Sequence, residues 1–358
     1  MSGPLKAGDT IAQRYVVQRY VGEGGMQFVY AAYDQLTERL VALKTPKNKS
    51  AQKRFRRSAV VAAKVNHPNV AKTLDYIRNG DDRYLIEELV EGEDLKAALL
   101  VHTEFLEPYL AAKVFHHLAK GVAAAHHAGV VHRDLKPTNI MVVGGYSLAE
   151  LKVTDFGIAK MAGEELREAV EGGDESMTTS QTAVGALPYM APEAIEDPAS
   201  VREPADIWSI GAMMYHLLCG KLPFGQGLRA VPQIIAAQVA EVPPFLGAKA
   251  QFKPLAEELM DIALSCLKKN PAERPTADQL VGRCSELCYT SSVREFGIVR
   301  RYMHGAFGFI GTPEGDVFFH NDCVYGAIPA VGDRVVFASC IGGDAPRALP
   351  VQKTGTDA

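Results

Sequence analysis

From Tyr15 to about Val90, β-branched and aromatic runs alternate with turn residues: YVVQRYV, FVYAAY, LVALK and RYLIEELV. Runs of this kind predict strands of an antiparallel sheet. One helical period interrupts them, from about Ala51 to Val65. After Asp94 the pattern turns helical. AAKVFHHLAKGVAAAHHAG carries apolar residues at i, i+3 and i+4 and stops at Gly129, which predicts a long helix. Short strands are expected near Ile140–Val143 and Lys152–Thr154, and helices dominate from Asp206 to Cys288. From Glu295 the period falls back to two, with glycines at intervals, as in a small β-barrel. The pattern therefore predicts an α+β chain. A tail at 1–13 precedes a β-rich lobe and a larger helical lobe within 14–285; a linker at 286–293, an all-β domain at 294–352 and a tail at 353–358 follow.

Composition narrows the class. The 358 residues are 47% hydrophobic and 22% charged, with a net charge of −4. These values exclude a largely disordered or fibrous chain and give no global reason to expect a polyanion partner. Six cysteines in this length form no disulfide framework, and the spacing of Cys284 and Cys288 suits one helix face better than a metal knuckle. The opening MSGPLKAGDT lacks the apolar core of a signal peptide. The most apolar stretch, Trp208–Cys219, is too short for a bilayer and contains His216. The expected location is a reduced, cytoplasmic compartment.

The chemistry begins at Gly22-Glu23-Gly24-Gly25-Met26-Gln27-Phe28-Val29. Glycines between two strands let backbone amides approach phosphates, although such a cluster alone usually means a tight hairpin. Further pieces follow in order. Lys44 ends a VALK strand, and His132-Arg133-Asp134-Leu135-Lys136-Pro137-Thr138-Asn139 gathers a carboxylate, a lysine and an amide in one loop. Asp155-Phe156-Gly157, Ala191-Pro192-Glu193, Asp206 to Gly211 and Arg274-Pro275 complete the series. With these motifs, residues 15–285 resemble a eukaryotic-type protein kinase domain, of the Ser/Thr kind also found in bacteria. The resemblance implies a two-lobed kinase fold that binds ATP and Mg²⁺ in the cleft between the lobes.

The resemblance also implies roles. Lys44 would hold the α/β-phosphates, Asn139 and Asp155 would ligate Mg²⁺, Asp134 would take the substrate hydroxyl proton and Lys136 would steady the γ-phosphate. Val21, Gly22, Glu23, Gly24 and Gly25 would cover the phosphates. Glu88 and Val90 would form the adenine hinge, with Val29 and Ala42 above the ring. Glu193 and Arg274 would be a structural pair. Arg133 beside Asp134 implies switching by phosphorylation of a long polar loop, with Thr178, Thr179, Ser180 and Thr182 as acceptors; the alternative is a merely flexible loop.

Three departures qualify the resemblance. Ser58 stands where the family carries the helix glutamate that pairs with the strand lysine, and no acidic residue lies between Glu38 and Asp75. Glu87 falls at the gatekeeper position at the back of the ATP pocket and is expected to pair with Lys44 instead; in the alternative register Ile86 takes that position and Glu87 faces solvent. Ala186 replaces a family threonine whose hydroxyl organises the catalytic aspartate and lysine. Gln27 also replaces the third glycine of the loop, a change that relatives tolerate. The ten basic residues from Arg39 to Lys72 read as a solvated face or as a docking surface for a phosphorylated loop or nucleic acid.

In the C-terminal segment, Phe307 and Phe309 alternate on one strand, and Phe318 and His320 on the next. Stacked rings on adjacent strands suit splayed bases. GAFGFI, VFFH and the later VGDRVVF resemble a cold-shock domain, an OB-type barrel, which implies single-stranded RNA or DNA as a partner with Tyr302 adding a ring. Here the family tryptophan is Arg301 and a family aromatic is Asn321, and residues 294–358 carry six basic against seven acidic residues. A barrel that has lost nucleic-acid binding and docks on the kinase lobe is the alternative. The combined expectation is a Ser/Thr kinase that autophosphorylates and carries a nucleic-acid-binding or regulatory barrel; a nucleotide-binding pseudokinase adaptor is the rival.

Overall fold

A computed structural model describes residues 3–24, 27–47, 55, 59–156, 185–342 and 345–355. The N-terminal lobe is a six-stranded sheet in the order β1-β2-β3-β4-β6-β5. Its strands are β1 (Thr10–Ile11), β2 (Tyr15–Glu23), β3 (Gln27–Asp34), β4 (Arg39–Pro46), β5 (Thr73–Asn79) and β6 (Asp82–Glu88). Alternate residues fill one face: Tyr15, Val17, Tyr30, Ala32, Val41, Leu43, Tyr84 and Ile86 form its core. The N-terminal residues are more than a tail. Ile11 joins that core, and β1 pairs with β2. Of the predicted helix after β4, the described residues 59–62 are helical.

The second lobe is helical. α1 (Pro108–His127) starts at Glu107, whose carboxylate accepts from the amides of Tyr109 and Leu110, with proline at the first turn. α2 (Glu203–Cys219) ends on Gly220 at φ +67°, where a Cβ would also meet the Glu104 carbonyl oxygen at 2.7 Å. Trp208 at its centre is fully buried and stacks on Phe224 at 5.1 Å. α3 (Lys253–Cys266) and α4 (Ala277–Ser285) complete the core, α4 opening with a Thr276–Gln279 capping box. Since α4 stops at Ser285, the two close cysteines do not share a helix face: Cys284 is buried within it and Cys288 is exposed beyond it. A three-stranded sheet of β7 (Glu93–Asp94), β8 (Ile140–Val143) and β9 (Glu150–Val153) lies at the cleft side of this lobe. Among the described residues, no helix is long and apolar enough to cross a membrane.

After the connecting segment, β10 (Arg294–Met303), β11 (Phe307–Thr312), β12 (Gly315–His320), β13 (Arg334–Gly342) and β14 (Ala345–Lys353) close into a barrel in the order β10-β11-β12-β14-β13. Val299, Ile310, Val317, Phe319, Val335, Phe337 and Val351 fill it. Gly308 is required by space: a Cβ there would meet the Phe319 ring at 2.6 Å. Lys353 pairs with Val335 and so belongs to the barrel, not to a tail.

The barrel sits directly on the helical lobe. Tyr325 is buried against Phe105, Phe245 and Phe252. Arg294 pairs with Glu107, and Gly355 donates its amide to the His102 carbonyl at 2.8 Å. Lys249 reaches the Asn321 carbonyl at 3.1 Å, and Val336 joins the core of the helical lobe.

Candidate active site and the ring face of the barrel

The β4–β6 register sets Ala42 opposite Glu87 and Lys44 opposite Leu85. Ile86 points into the sheet core, so its neighbours Leu85 and Glu87 turn to the other face. A slip of one residue would expose Ile86, which is why the register holds. Glu87 therefore faces the cleft, and its Oε2 lies 2.5 Å from the Lys44 ammonium. The same ammonium donates to Asp155 Oδ1 at 2.7 Å. Lys44 and Glu87 are nearly dry, with side chains 8% and 5% exposed. Burial opposes the Lys44 charge, but Asp155 and Glu87 outweigh it and raise its pKa. Burial also raises Glu87; Lys44 pulls it down and the Asp155 charge adds to the rise. Asp155 moves the other way: burial would raise it, and Lys44 and Gln27 hold it below its ordinary value.

Gln27 does more than replace a loop glycine. It begins β3, is buried, and donates its amide Nε2 to Asp155 Oδ1 at 2.8 Å. Gly24 turns the loop by donating to the Gln27 carbonyl at 2.9 Å. Gly22 pairs with Val29 and Glu23 with Phe28, while Val21 is half-exposed on β2. A Cβ at Gly22 would meet nothing within 4 Å. Val29 lies opposite Lys44, and Glu88 ends β6 two residues before Val90. Lys152 on β9 pairs with Glu88 at 2.9 Å and ties the hinge to the second lobe.

The loop that carries Asp134 is held from behind by Asp206 on α2. Its carboxylate accepts from the amides of His132 and Arg133, both at 2.8 Å, and lies 2.9 Å from His126 Nε2. Arg133 adopts φ +69° and Asp155 φ +61°, and both take this left-handed backbone at the cleft. Asp134 Oδ2 receives Lys136 at 2.9 Å and the Asn139 amide at 3.0 Å. Asp134 Oδ1 is buried with no hydrogen-bond partner among the described residues. Thr154 Oγ1 donates to the Asn139 carbonyl at 3.1 Å and keeps that residue beside Asp155. Glu193 and Arg274 form a two-pronged pair at 2.6 and 2.9 Å. Ala186 is buried and has no hydroxyl to offer this loop. Gly25, Ser58, Thr178, Thr179, Ser180 and Thr182 lie outside the described residues, as does most of the basic run around Arg56.

On the barrel, β11 and β12 set Phe309 opposite Phe318 and Phe307 opposite His320. Phe307, Phe309 and Phe318 meet with centroids 5.7 to 6.3 Å apart and are partly exposed. Arg301 lies 4.6 Å over Phe309, and Arg347 5.7 Å from Phe318. Tyr302 departs from the expectation. The β10 irregularity between Val299 and Arg301 shifts the alternation, so Tyr302 stacks on the core residue Phe319 and its hydroxyl bonds Asn321 Oδ1. Arg301 takes the place on the ring face instead.

Comparison with known proteins agrees with this geometry. The protein kinase domain family matches residues 15–283, and the S1-like family matches residues 294–348. Over 281 residues the chain is 35% identical to the serine/threonine-protein kinase PknA of Mycobacterium tuberculosis, covering 75% of this chain and 60% of that protein. It is 31% identical over 272 residues to the serine/threonine-protein kinase PrkC of Bacillus subtilis, covering 75% and 39%. The chain thus spans 38% to 60% of the length of such curated relatives. The solved PknI kinase domain of Mycobacterium tuberculosis superposes with a TM-score of 0.58 at 22% identity, covering 80% of this chain and 99% of that one, a likeness of fold. The barrel matches as S1-like, so its shared ground with the expectation is an OB-type barrel. Two lobes, an ordered motif series and a family match over three-quarters of the chain agree: this chain belongs to the protein kinase family and carries an S1-like barrel after its kinase domain.

Proposed function

We propose that the protein is a Ser/Thr kinase that transfers the γ-phosphate of MgATP to protein hydroxyls, including those at Thr178, Thr179, Ser180 and Thr182 of its own chain. One observation carries this reading. Asp134 has one carboxylate oxygen fixed by Lys136 and Asn139 and the other buried with no partner among the described residues, which suits a base that takes a hydroxyl proton.

The residues present fit the cofactor. Asp155 and Asn139 are the oxygen donors a hard divalent ion prefers, and space is open at Gly22 for phosphate approach. Bound Mg²⁺ would neutralise phosphate charge. The chain supplies the rest. Lys44 binds the α/β-phosphates, and Asp134 accepts the proton as the substrate oxygen forms its bond to phosphorus and the bond to the ADP oxygen breaks. Lys136 balances the charge on the transferred group, and Glu88 and Val90 present hinge backbone to adenine. A lysine at position 136 favours Ser and Thr over Tyr substrates within the family.

The second domain is read as a single-stranded nucleic-acid binder of the cold-shock kind. The support is the cluster Phe307, Phe309, Phe318 and His320 flanked by Arg301 and Arg347. Six unpaired cysteines support a reducing, cytoplasmic setting. Incubation with Mg·ATP and phosphosite mapping by mass spectrometry tests the kinase reading. Phosphate within residues 178–182 that disappears in Asp134→Asn supports it. ATP binding without incorporation turns the reading to a nucleotide-binding adaptor.

A further inference from the structure

Two positions in the cleft carry polar residues where the family pattern has an apolar gatekeeper and a glycine. They converge on one ion pair. Glu87 Oε2 lies 2.5 Å from Lys44 Nζ, and Gln27 Nε2 lies 2.8 Å from Asp155 Oδ1, the oxygen that also accepts from Lys44 at 2.7 Å. Gln27, Lys44 and Glu87 are all buried. The family's usual third partner is a helix glutamate. The sequence holds Ser58 at that point and no acidic residue between Glu38 and Asp75, so no side chain of that helix supplies a carboxylate.

We propose that Glu87 and Gln27 together position the Lys44–Asp155 pair, so that the sheet and the glycine-rich loop assemble the nucleotide site in place of the helix. The proposal deepens the kinase reading and rests on it. Its physical basis is where each anchor sits. A helix carboxylate rides on an element that moves relative to the sheet, and the lysine is held only when the helix is in place. Glu87 instead sits on β6, which is hydrogen-bonded to β4 with Lys44 opposite Leu85 and Ala42 opposite Glu87. The distance from Glu87 to Lys44 is then fixed by strand register. Gln27 performs the matching task for the metal ligand. It leads β3, whose Val29 lies opposite Lys44, and holds Asp155 from the loop side. A carboxylate in this dry position requires a cation, and Lys44 requires a carboxylate, so each makes the other tolerable.

Both residues are positioning residues, since they act on the nucleotide through Lys44 and Asp155. The test is a swap. Full-length protein is compared with Glu87→Leu, the isosteric Glu87→Gln, Ser58→Glu with Glu87→Leu, and Gln27→Gly. Two quantities are read: affinity for a fluorescent ATP analogue with Mg²⁺, and kcat and KM for ATP in autophosphorylation. Thermal melting confirms that each variant is folded, and Glu87→Gln stands in should Glu87→Leu fail to fold. Losing a charge-assisted bond should weaken nucleotide affinity and lower kcat/KM by roughly tenfold or more in both Glu87 variants. Ser58→Glu should recover most of the loss in Glu87→Leu, which a merely structural role for Glu87 would not allow. Gln27→Gly should weaken affinity more in the presence of Mg²⁺ than in its absence. Glu87 variants within twofold of wild type, or a loss untouched by Ser58→Glu, would overturn the proposal. A wild type that binds the analogue but transfers no phosphate defeats the kinase reading alone, because the affinity comparison still decides the role of Glu87. A wild type that binds no nucleotide defeats both.

Discussion

Phe318 sits in the ring cluster of the barrel. It contacts Phe307 at 5.7 Å and Phe309 at 5.8 Å and has the Arg347 guanidinium 5.7 Å from its centroid. A base stacked there would gain from the ring and from the adjacent cation. Residues 294–358 hold more acidic than basic side chains, so long-range attraction to a polyanion is weak and any binding of single strands would rest on stacking. Phe318→Ala should therefore weaken binding of a fluorescein-labelled single-stranded oligonucleotide by about 1–3 kcal/mol, with little change in salt dependence. Fluorescence anisotropy at two salt concentrations measures both. Equal binding by wild type and variant would assign the rings to packing. Tyr302→Ala should act mainly on barrel stability, since that ring stacks on Phe319 in the core.

At the scale of elements, two half-buried histidines give the helical lobe a pH dependence. His117 on α1 and His216 on α2 are both pushed down to about 4, first by burial and then by nearby lysines. An unfolded histidine takes its proton near 6.5, whereas these stay neutral in the fold until about pH 4. The unfolded state therefore binds more protons across that interval, and their contribution is fully present above about pH 6.5 and shrinks as pH falls toward 4. The urea midpoint should drop between pH 7.5 and 5, and the drop should be smaller in His117→Gln with His216→Gln. A midpoint that does not move would show that these rings are protonated in the folded protein. Elements also mark how far the sequence could be read. The strands, the long helix and the motif loops follow from periodicity and from chemistry that demands particular residue types at particular spacings. Glu87 was legible through the hinge motif, with Ile86 as the rival register, and the burial of Ile86 in the sheet core decides between them. The role of Gln27 was not: a lone polar residue at the start of a strand has no periodic signal, and its partner Asp155 is far along the chain. The irregularity in β10 likewise moved Tyr302 off the ring face without a local signature, since a bulge shifts every later residue of a strand by one.

For the whole molecule, the junction between barrel and helical lobe is the feature least visible in sequence, because its parts come from distant segments. Glu107, Phe105, Phe245 and Phe252 meet Arg294 and Tyr325 only once both domains are folded. The docking side chains come from β10, β13, β14 and the Tyr325 turn, and the ring face comes from β11 and β12, whose rings stay partly exposed. The buried Arg294–Glu107 pair is unequal in its two halves. Glu107 also caps α1, accepting from Tyr109 and Leu110, and keeps those partners without Arg294. Arg294 has Nε and Nη1 buried without partners among the described residues, so Glu107 is its main compensation. Glu107→Ala would leave a poorly satisfied guanidinium buried and an uncapped helix, a loss of about 3–5 kcal/mol. Arg294→Met removes the unsatisfied donors and leaves the cap in place, so Glu107 keeps two amides and the helix N-terminus but loses its cation, and the loss should be smaller than in Glu107→Ala, about 1–2 kcal/mol. Urea unfolding of the full chain, followed by circular dichroism and tyrosine fluorescence, compares the two. The two domains should unfold in one transition in wild type and Arg294→Met, and the Glu107→Ala midpoint should fall well below both. Equal losses in the two variants would mean that the guanidinium itself contributes net stability, and that docking depends on the charge pair more than on the Tyr325 contacts.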